Sequence, residues 1–576
     1  MSSPTESPNT TSVADTGVGL LGRLAHWRRS TPTDVVLDTF GGRHRERITY
    51  AGLYARCLRT ADALAAAGIG PGTRAVVMTR RPMDLLTTVY ALSALGACAV
   101  LIDPGLPREA LRRCLEEVAP QAFVGEPLAH AARVLRRWAP GVRTLVSTGT
   151  GPGPWPTIAT LARTAPRTSS TATDDCTALI AYTSGSTGTP KGVVYTNEQL
   201  VRQCAATGDV LGARPGTAML VGFLPFALGG PALGVTVVIP RMDFRRPGRA
   251  RRDNLLRAVT ATNATCLLGS PALMTVVAGD GREEAALAGV RSVATFGAPL
   301  EYGLLDRLTA TLSDEAVIRS VYGATESLPV SAVDGADLRA ARAASERGGG
   351  RCVGRPVPSM RVEIIPADAG PIAHWSEVEP LSAHVVGEIT VRGPSVSRTY
   401  YGRPHADTQA KIPEGRHVWH RTGDLGHTDD QGNLWYCGRK IHAVPTTDGP
   451  LYTECVEPAC NTVAGVRRTA LVDAGDDRHT LPTLCVETDG PRRGAERSRI
   501  VTDLRRTLAT LERGAQVRAI VFHPTGFPVD IRHNSKIERG TLGRWARRRL
   551  AGEAMAAGTA EGPMTTENPE SPEGPE

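Results

Sequence analysis

Residues 181–199 read AYTSGSTGTPKGVVYTNEQ: serine, threonine and glycine crowd ahead of one lysine, Lys191, directly after the apolar run TALIAY. A strand that enters such a turn exposes several backbone N–H groups and hydroxyls in one concavity, an arrangement that holds phosphate oxygens. It is not a Walker A loop, because G-x-x-x-x-G-K-[ST] requires glycine where Pro190 stands. Lysine is scarce here. Of 66 lysines and arginines only Lys191, Lys411, Lys440 and Lys536 are lysines. A compact ammonium and a planar guanidinium are not interchangeable, so a surviving lysine marks a position that can need the former. Lys411, inside the polar run TQAKIPEG, reads instead as an ordinary solvent-facing charge.

The elements that position this loop are legible as alternation. The strand-like run RAVVM (74–78), a helix with Leu85, Val89 and Leu92 on one face, and CAVLID (98–103) make a βαβ unit. The same texture recurs at TLVST, CLLGS and VATFGAP. The expected fold class is α/β: a large layered α/β N-terminal domain with largely parallel sheets, plus a small mobile α+β C-terminal domain. Its expected divisions are a tail at 1–18, the large domain at 19–437, the small domain at 438–552 and an acidic tail at 553–576. The tails are rich in Pro, Gly, Ser, Thr and Glu and too poor in large apolar groups to order themselves. In the small domain, RSRIVTDLRRTLATL reads as a helix and VRAIVFHP as a strand.

Composition excludes several classes. With 576 residues the chain exceeds the roughly 250–300 at which single cores stop growing. The net charge of +8 comes from scattered arginines, and the cluster RRPGRARR has no aromatic interleaving, so it reads as a solvated face and no nucleic-acid partner is expected. Eleven cysteines without a C-x-x-C pair indicate neither zinc nor a disulfide framework, which suits a reduced cytoplasmic setting. The first residues lack the basic and apolar regions of a signal peptide. Residues 217–240 carry no charge, but Pro225, Pro231 and four glycines interrupt them, so they read as strand, pocket-lining turn and strand, with no transmembrane span.

YTSGSTGTPKG resembles the signature loop of the adenylate-forming superfamily, which includes acyl-CoA synthetases, peptide-synthetase adenylation domains and luciferases. FGAPL (296–300), VYGATES (321–327), GEITVRGP (387–394), HRTGDLG (420–426), CGRK (437–440) and HNSKIERG (533–540) follow in the family's order. Seven ordered motifs are specific where one is weak. The resemblance implies an AMP-forming ligase that uses ATP and Mg²⁺ to activate a carboxylate as an acyl adenylate. It implies a phosphate cradle of Thr183, Ser184, Gly185, Ser186, Thr187, Gly188 and Lys191. It also implies an adenine slot of Gly297, Ala298 and Pro299 with Tyr322 stacked on the base beside Gly323. Thr325 would meet the α-phosphate, Glu326 with Thr187 would hold Mg²⁺, Asp424 would accept from the ribose hydroxyls, and Arg439 would support nucleotide binding. Lys536, on a loop of the small domain, would supply the cation where charge accumulates as carboxylate attacks phosphorus.

The chain also departs from the thioester-forming pattern. Ile441 stands at the customary hinge carboxylate, and DGPLYTECVE does not reproduce the pantetheine-tunnel sequence. LPFALGGPALGVTVVIPRMD, VGRPVPSMRVEII, LWYCGRKIHAV and FPVDIRHNSKI resemble instead the β-lactone synthetases of bacterial long-chain olefin and β-lactone biosynthesis. That implies a 2-alkyl-3-hydroxy fatty acid whose 3-hydroxyl closes the ring and expels AMP. Phe226, Ala227, Leu228, Gly229 and Gly230 would form one pocket wall, and thiolase-, reductase- and decarboxylase-type pathway enzymes would be the partners. A second reading keeps adenylation but passes the acyl group to coenzyme A or a carrier protein. A third, an idle nucleotide-binding scaffold, sits poorly with Lys191, Glu326, Asp424 and Lys536 all present.

Overall fold

The computed structural model describes the chain except residues 1–10, 13–16, 42–44, 104, 150, 152, 171, 183–189, 283, 477, 491–492, 530–536 and 559–576. The described residues fall into two compact units that divide between Ile441 and His442, with 346–348 counted in the second.

In the first unit, a six-stranded sheet runs in the spatial order Gly192–Thr196, Thr177–Tyr182, Cys98–Ile102, Arg74–Met78, Ala122–Gly125 and Thr144–Ser147. All neighbours are parallel except the edge strand Gly192–Thr196, which returns antiparallel from the signature loop. The helix Pro82–Ala94 between two of its strands starts with proline at its first turn and Asp84 beside it, where a missing N–H and a negative charge both suit a helix N-terminus. A second helix, Asn197–Leu211, opens on a reciprocal capping box between Thr196 and Gln199 and closes on Gly212 in the left-handed region, φ 62°. Leu86, Val89 and Tyr90 of the first helix and Leu200 and Leu211 of the second share one core with Ala75 and Ala99 of this sheet and Val221 and Val237 of the next.

The larger sheet has fourteen strands. It is parallel through Thr236–Ile239, Ala218–Val221, Cys266–Gly269, Ser292–Phe296 and Val317–Ala324. Beyond that strand it turns antiparallel, starting with the hairpin Val317–Ala324 to Ser327–Asp334. A two-residue connection permits only antiparallel pairing, so the parallel alternation expected from the sequence ends where the site begins.

The second unit packs a three-stranded sheet, Val466–Asp473, Pro482–Thr488 and Ala519–Phe522, against helices Thr453–Cys460 and Gly494–Ala509 through Leu471, Leu484, Ile500, Leu504 and Leu508. The buried ion pair of Arg539 with Glu457 ties in the terminal helix, with Nη2 to Oε2 at 2.8 Å. Among the described residues no helix is long and apolar enough to cross a membrane. Residues 217–240 form strand, two short helical turns and strand.

Candidate active site

Strand register assembles the site. Ser292–Phe296 lies parallel to Val317–Ala324 with Phe296 opposite Val321, so Gly297, Ala298 and Pro299 leave their strand beside Tyr322. Gly297 has φ 89°, a conformation only glycine adopts without strain. Gly323 has no room for a side chain, since a Cβ there would sit 2.7 Å from the Ser327 carbonyl oxygen. Ala324 pairs with Ser327, which leaves Thr325 and Glu326 at the hairpin tip. Across the sheet, Asp424 on His417–Thr428 pairs with Arg439 on Leu434–Arg439. The Tyr322 hydroxyl donates to Asp424 Oδ2 at 2.6 Å, Arg439 Nε lies 2.9 Å from Asp424 Oδ1, and Arg439 Nη1 donates to the Thr422 carbonyl at 3.1 Å. Tyr322, Asp424 and Arg439 are thus one connected group.

A second group surrounds Glu326. The Tyr400 hydroxyl donates to Glu326 Oε1 at 2.8 Å, and the Ser397 amide donates to the Glu326 carbonyl at 2.8 Å. Lys191 Nζ lies 4.8 Å from the centre of the Tyr400 ring. Segment 397–403 also grips the end of the signature loop: the Val194 amide donates to Thr399 O, the Tyr401 amide to Gly192 O, and Arg403 Nη2 to Pro190 O at 3.1 Å. Lys191, Tyr400 and Glu326 are therefore brought together. Thr183, Ser184, Gly185, Ser186, Thr187 and Gly188, and Lys536, lie outside the described residues.

Lys411 is not the solvent-facing charge its sequence context suggests. It is 6 % exposed, opposite His420 in the pairing of Lys411–Glu414 with His417–Thr428, and its Nζ donates to the Ser397 carbonyl at 2.5 Å. The polar run around it is a strand start and a helix end, and strand pairing turns the lysine inward. Burial lowers its pKa to about 8 against the pull of Glu326 and Asp407. Burial and the Lys411 charge press His420 down to about 3, so it is neutral at pH 7. Burial pushes Glu326 up, but His420, Lys411 and the Tyr400 hydrogen bond together hold it below the usual carboxylate range. With His420 neutral at pH 7, Lys411 and the Tyr400 hydrogen bond carry that effect. Burial, then Asp424, raises the Tyr322 phenol, and burial, then Glu326, raises that of Tyr400, so both remain donors.

A largely apolar cavity of about 350 Å³ reaches the hairpin tip at Thr325. Phe226, Leu228 and Gly229 line it, facing Cys204 and Thr207 of the Asn197–Leu211 helix. Ala227 and Gly230 are not on its wall: Ala227 is fully buried, and a Cβ on Gly230 would lie 2.0 Å from Val237 Cγ2, so that glycine faces the sheet. Gln203, which sequence reasoning missed, also lines the cavity and hydrogen-bonds the buried Tyr195 hydroxyl. Its one signal was a large polar residue on a helix face shared with Leu200, Cys204, Thr207 and Leu211.

The AMP-binding enzyme family matches this chain over residues 24–401. The chain belongs to that family. Two olefin β-lactone synthetases are each 43 % identical to it. One, from Stenotrophomonas maltophilia (strain K279a), aligns over 547 residues, 92 % of this chain and 98 % of the relative. The other, from Xanthomonas campestris pv. campestris, aligns over 545 residues, 91 % of this chain and 96 % of the relative. Among solved structures, O-succinylbenzoate coenzyme A synthetase (MenE) from Bacillus subtilis, in complex with ATP and magnesium ion, superposes with TM-score 0.71 at 20 % identity, covering 90 % of this chain and 98 % of that one, a likeness of fold. As a member of the AMP-binding family, the protein is an AMP-forming ligase that uses ATP.

Proposed function

We propose that this enzyme activates a 2-alkyl-3-hydroxy fatty acid with ATP and closes it to a β-lactone, releasing AMP and pyrophosphate. The observation that carries this reading is the 43 % identity, over 92 % of the chain, to an olefin β-lactone synthetase. The apolar cavity that reaches Thr325 supports it, since an alkyl chain enclosed there presents its carboxylate to the hairpin tip.

The chemistry has two steps. A carboxylate oxygen attacks the α-phosphorus and pyrophosphate leaves. The 3-hydroxyl oxygen then attacks the acyl carbonyl carbon, its proton is lost, and the bond from that carbon to the AMP oxygen breaks. No second substrate is needed, and holding hydroxyl and carbonyl in contact is what an enclosed cavity contributes. Tyr322 with Gly297, Ala298, Pro299 and Gly323 holds adenine, while Asp424 and Arg439 hold the ribose and its phosphate end. Lys191 with residues 183–188 cradles the β- and γ-phosphates, and Lys536, carried by a small mobile domain, offsets charge in the transition state.

Glu326 suits magnesium: it is a half-buried carboxylate held ionised, and one carboxylate with phosphate oxygens and water is the environment Mg²⁺ prefers. Glu326 and Thr187 would hold the ion, which when bound neutralises the triphosphate and draws charge off the leaving pyrophosphate. Eleven free thiols suit a reducing cytoplasm. The upstream partners are enzymes that condense and reduce to make the 3-hydroxy acid, and the downstream partner is one that decarboxylates the lactone.

Substrate carrying ¹⁸O in both carboxyl oxygens tests the order of bonds. Carboxylate attack on phosphorus sends one ¹⁸O into AMP and leaves one in the lactone carbonyl. Unlabelled AMP with both labels in the lactone would mean that the hydroxyl, not the carboxylate, had been adenylated.

A further inference from the structure

Burying an ammonium is costly unless its donors and charge are met, and Lys411 is buried in a chain that uses arginine nearly everywhere else. Its surroundings explain the choice of residue. Nζ donates to the Ser397 carbonyl at 2.5 Å and lies 5.1 Å from the centre of the Tyr400 ring. That ring also carries Lys191 at 4.8 Å, and its hydroxyl donates to Glu326 Oε1 at 2.8 Å. The amide of Ser397 holds the Glu326 backbone carbonyl at 2.8 Å. The ammonium therefore bears on both groups that fix Glu326, one at its side chain and one at its backbone. Asp407 locks the same segment, accepting the Tyr400 amide on Oδ1 at 2.8 Å and the Thr399 hydroxyl on Oδ2. An ammonium meets this one carbonyl as a compact point charge, where a guanidinium would spread its donors over a planar fork.

We propose that Lys411 is a positioning residue of the nucleotide site, which through Tyr400 and the Ser397 peptide sets the Glu326 carboxylate toward the cation of the ATP triphosphate. The inference rests on the reading that Glu326 faces that cation. Lys411 touches no reacting atom and lies on the adenylation side of the chemistry. Its loss slows acyl-AMP formation and leaves the conversion of acyl-AMP to lactone unchanged.

The test is equilibrium binding of ATP by calorimetry, with and without Mg²⁺, in wild type, Lys411→Met and Tyr400→Phe, alongside the molar ratio of lactone to AMP. Methionine keeps the apolar stem and removes only the charge. The expected result is that the enhancement of ATP affinity by Mg²⁺ falls tenfold or more in Lys411→Met and falls in Tyr400→Phe as well. Metal-free ATP affinity stays within twofold of wild type, and the lactone-to-AMP ratio does not change. A Mg²⁺ enhancement within twofold of wild type in both variants overturns the proposal, as does an equal loss of metal-free affinity, which would make Lys411 a packing residue. If Lys411→Met does not fold, Lys411→Gln, which also removes the charge, is read by the same criteria, while Tyr400→Phe tests the Tyr400 link to Glu326. A failure of the underlying reading looks different: Glu326→Gln would then respond to Mg²⁺ as wild type does.

Discussion

Gly229→Leu should shorten the acyl chain this enzyme accepts, and the structure sets the size of the effect. Gly229 lines the cavity with φ −78° and ψ −31°, a backbone conformation open to any residue. A Cβ there would lie 3.1 Å from Cys204 Sγ, so the thiol must yield a few tenths of an ångström while the rest of the leucine enters the cavity. Four added carbons displace about four methylenes of substrate. At about 0.8 kcal/mol per buried methylene, the longest chain loses about 3 kcal/mol, or about 10²-fold in kcat/KM. Chains shorter by four carbons or more keep their rate. The assay is kcat/KM by pyrophosphate release across a homologous series of 2-alkyl-3-hydroxy acids, with Gly230→Leu as the contrast. A Cβ on Gly230 would lie 2.0 Å from Val237 Cγ2, so its substitution lowers the melting temperature without moving the chain-length optimum. A uniform loss across the series in Gly229→Leu, or an optimum that moves only in Gly230→Leu, would refute the assignment of the wall.

Lys536→Ala should cut the rate of adenylate formation by about 10²-fold or more while ATP binding, measured by calorimetry, changes little; equal losses in both would make the lysine structural. Tyr322→Phe removes the hydroxyl that donates to Asp424 at 2.6 Å, and should raise the KM for ATP by about 10-fold at little cost in kcat, the value of about 1.5 kcal/mol for a hydrogen bond to a charged group. An unchanged KM would separate that bond from nucleotide binding. His420 is held neutral, its pKa down at about 3, so between pH 6.5 and 3 the unfolded chain binds a proton that the folded chain refuses. Stability from this group is present above pH 6.5 and is lost as pH falls toward 3, by about 1.4 kcal/mol per pH unit. In denaturant titrations from pH 6.5 to 4.5, His420→Asn should therefore lose stability less steeply than wild type, and parallel slopes would mean that His420 protonates freely in the folded state.

The motifs were readable because each is a continuous string, and several of them fall at strand ends in the fold. FGAPL and VYGATES name residues that a parallel register of Phe296 with Val321 then sets side by side. What escaped reading depends on distant pairing. Lys411 is surrounded in sequence by polar residues, and only its pairing with His420 and the arrival of Tyr400 over Glu326, 74 residues earlier in the chain, turn it inward. Gly229 and Gly230 are indistinguishable as letters. One ends a turn at the cavity and the other begins a helical turn against the sheet, a difference of about 100° in direction that the sequence does not carry. The antiparallel half of the large sheet was hidden for the same reason, since a short β-hairpin and a βαβ strand share the same apolar texture.

The most direct test of β-lactone formation is to incubate the purified protein with Mg²⁺, ATP and a synthetic 2-alkyl-3-hydroxy fatty acid, with no coenzyme A present, and to follow products by NMR and mass spectrometry. The expected product is a strained four-membered lactone formed in a one-to-one ratio with AMP. AMP release only after coenzyme A is added, with a thioester as the product, would contradict β-lactone formation and make the enzyme an acyl-CoA ligase.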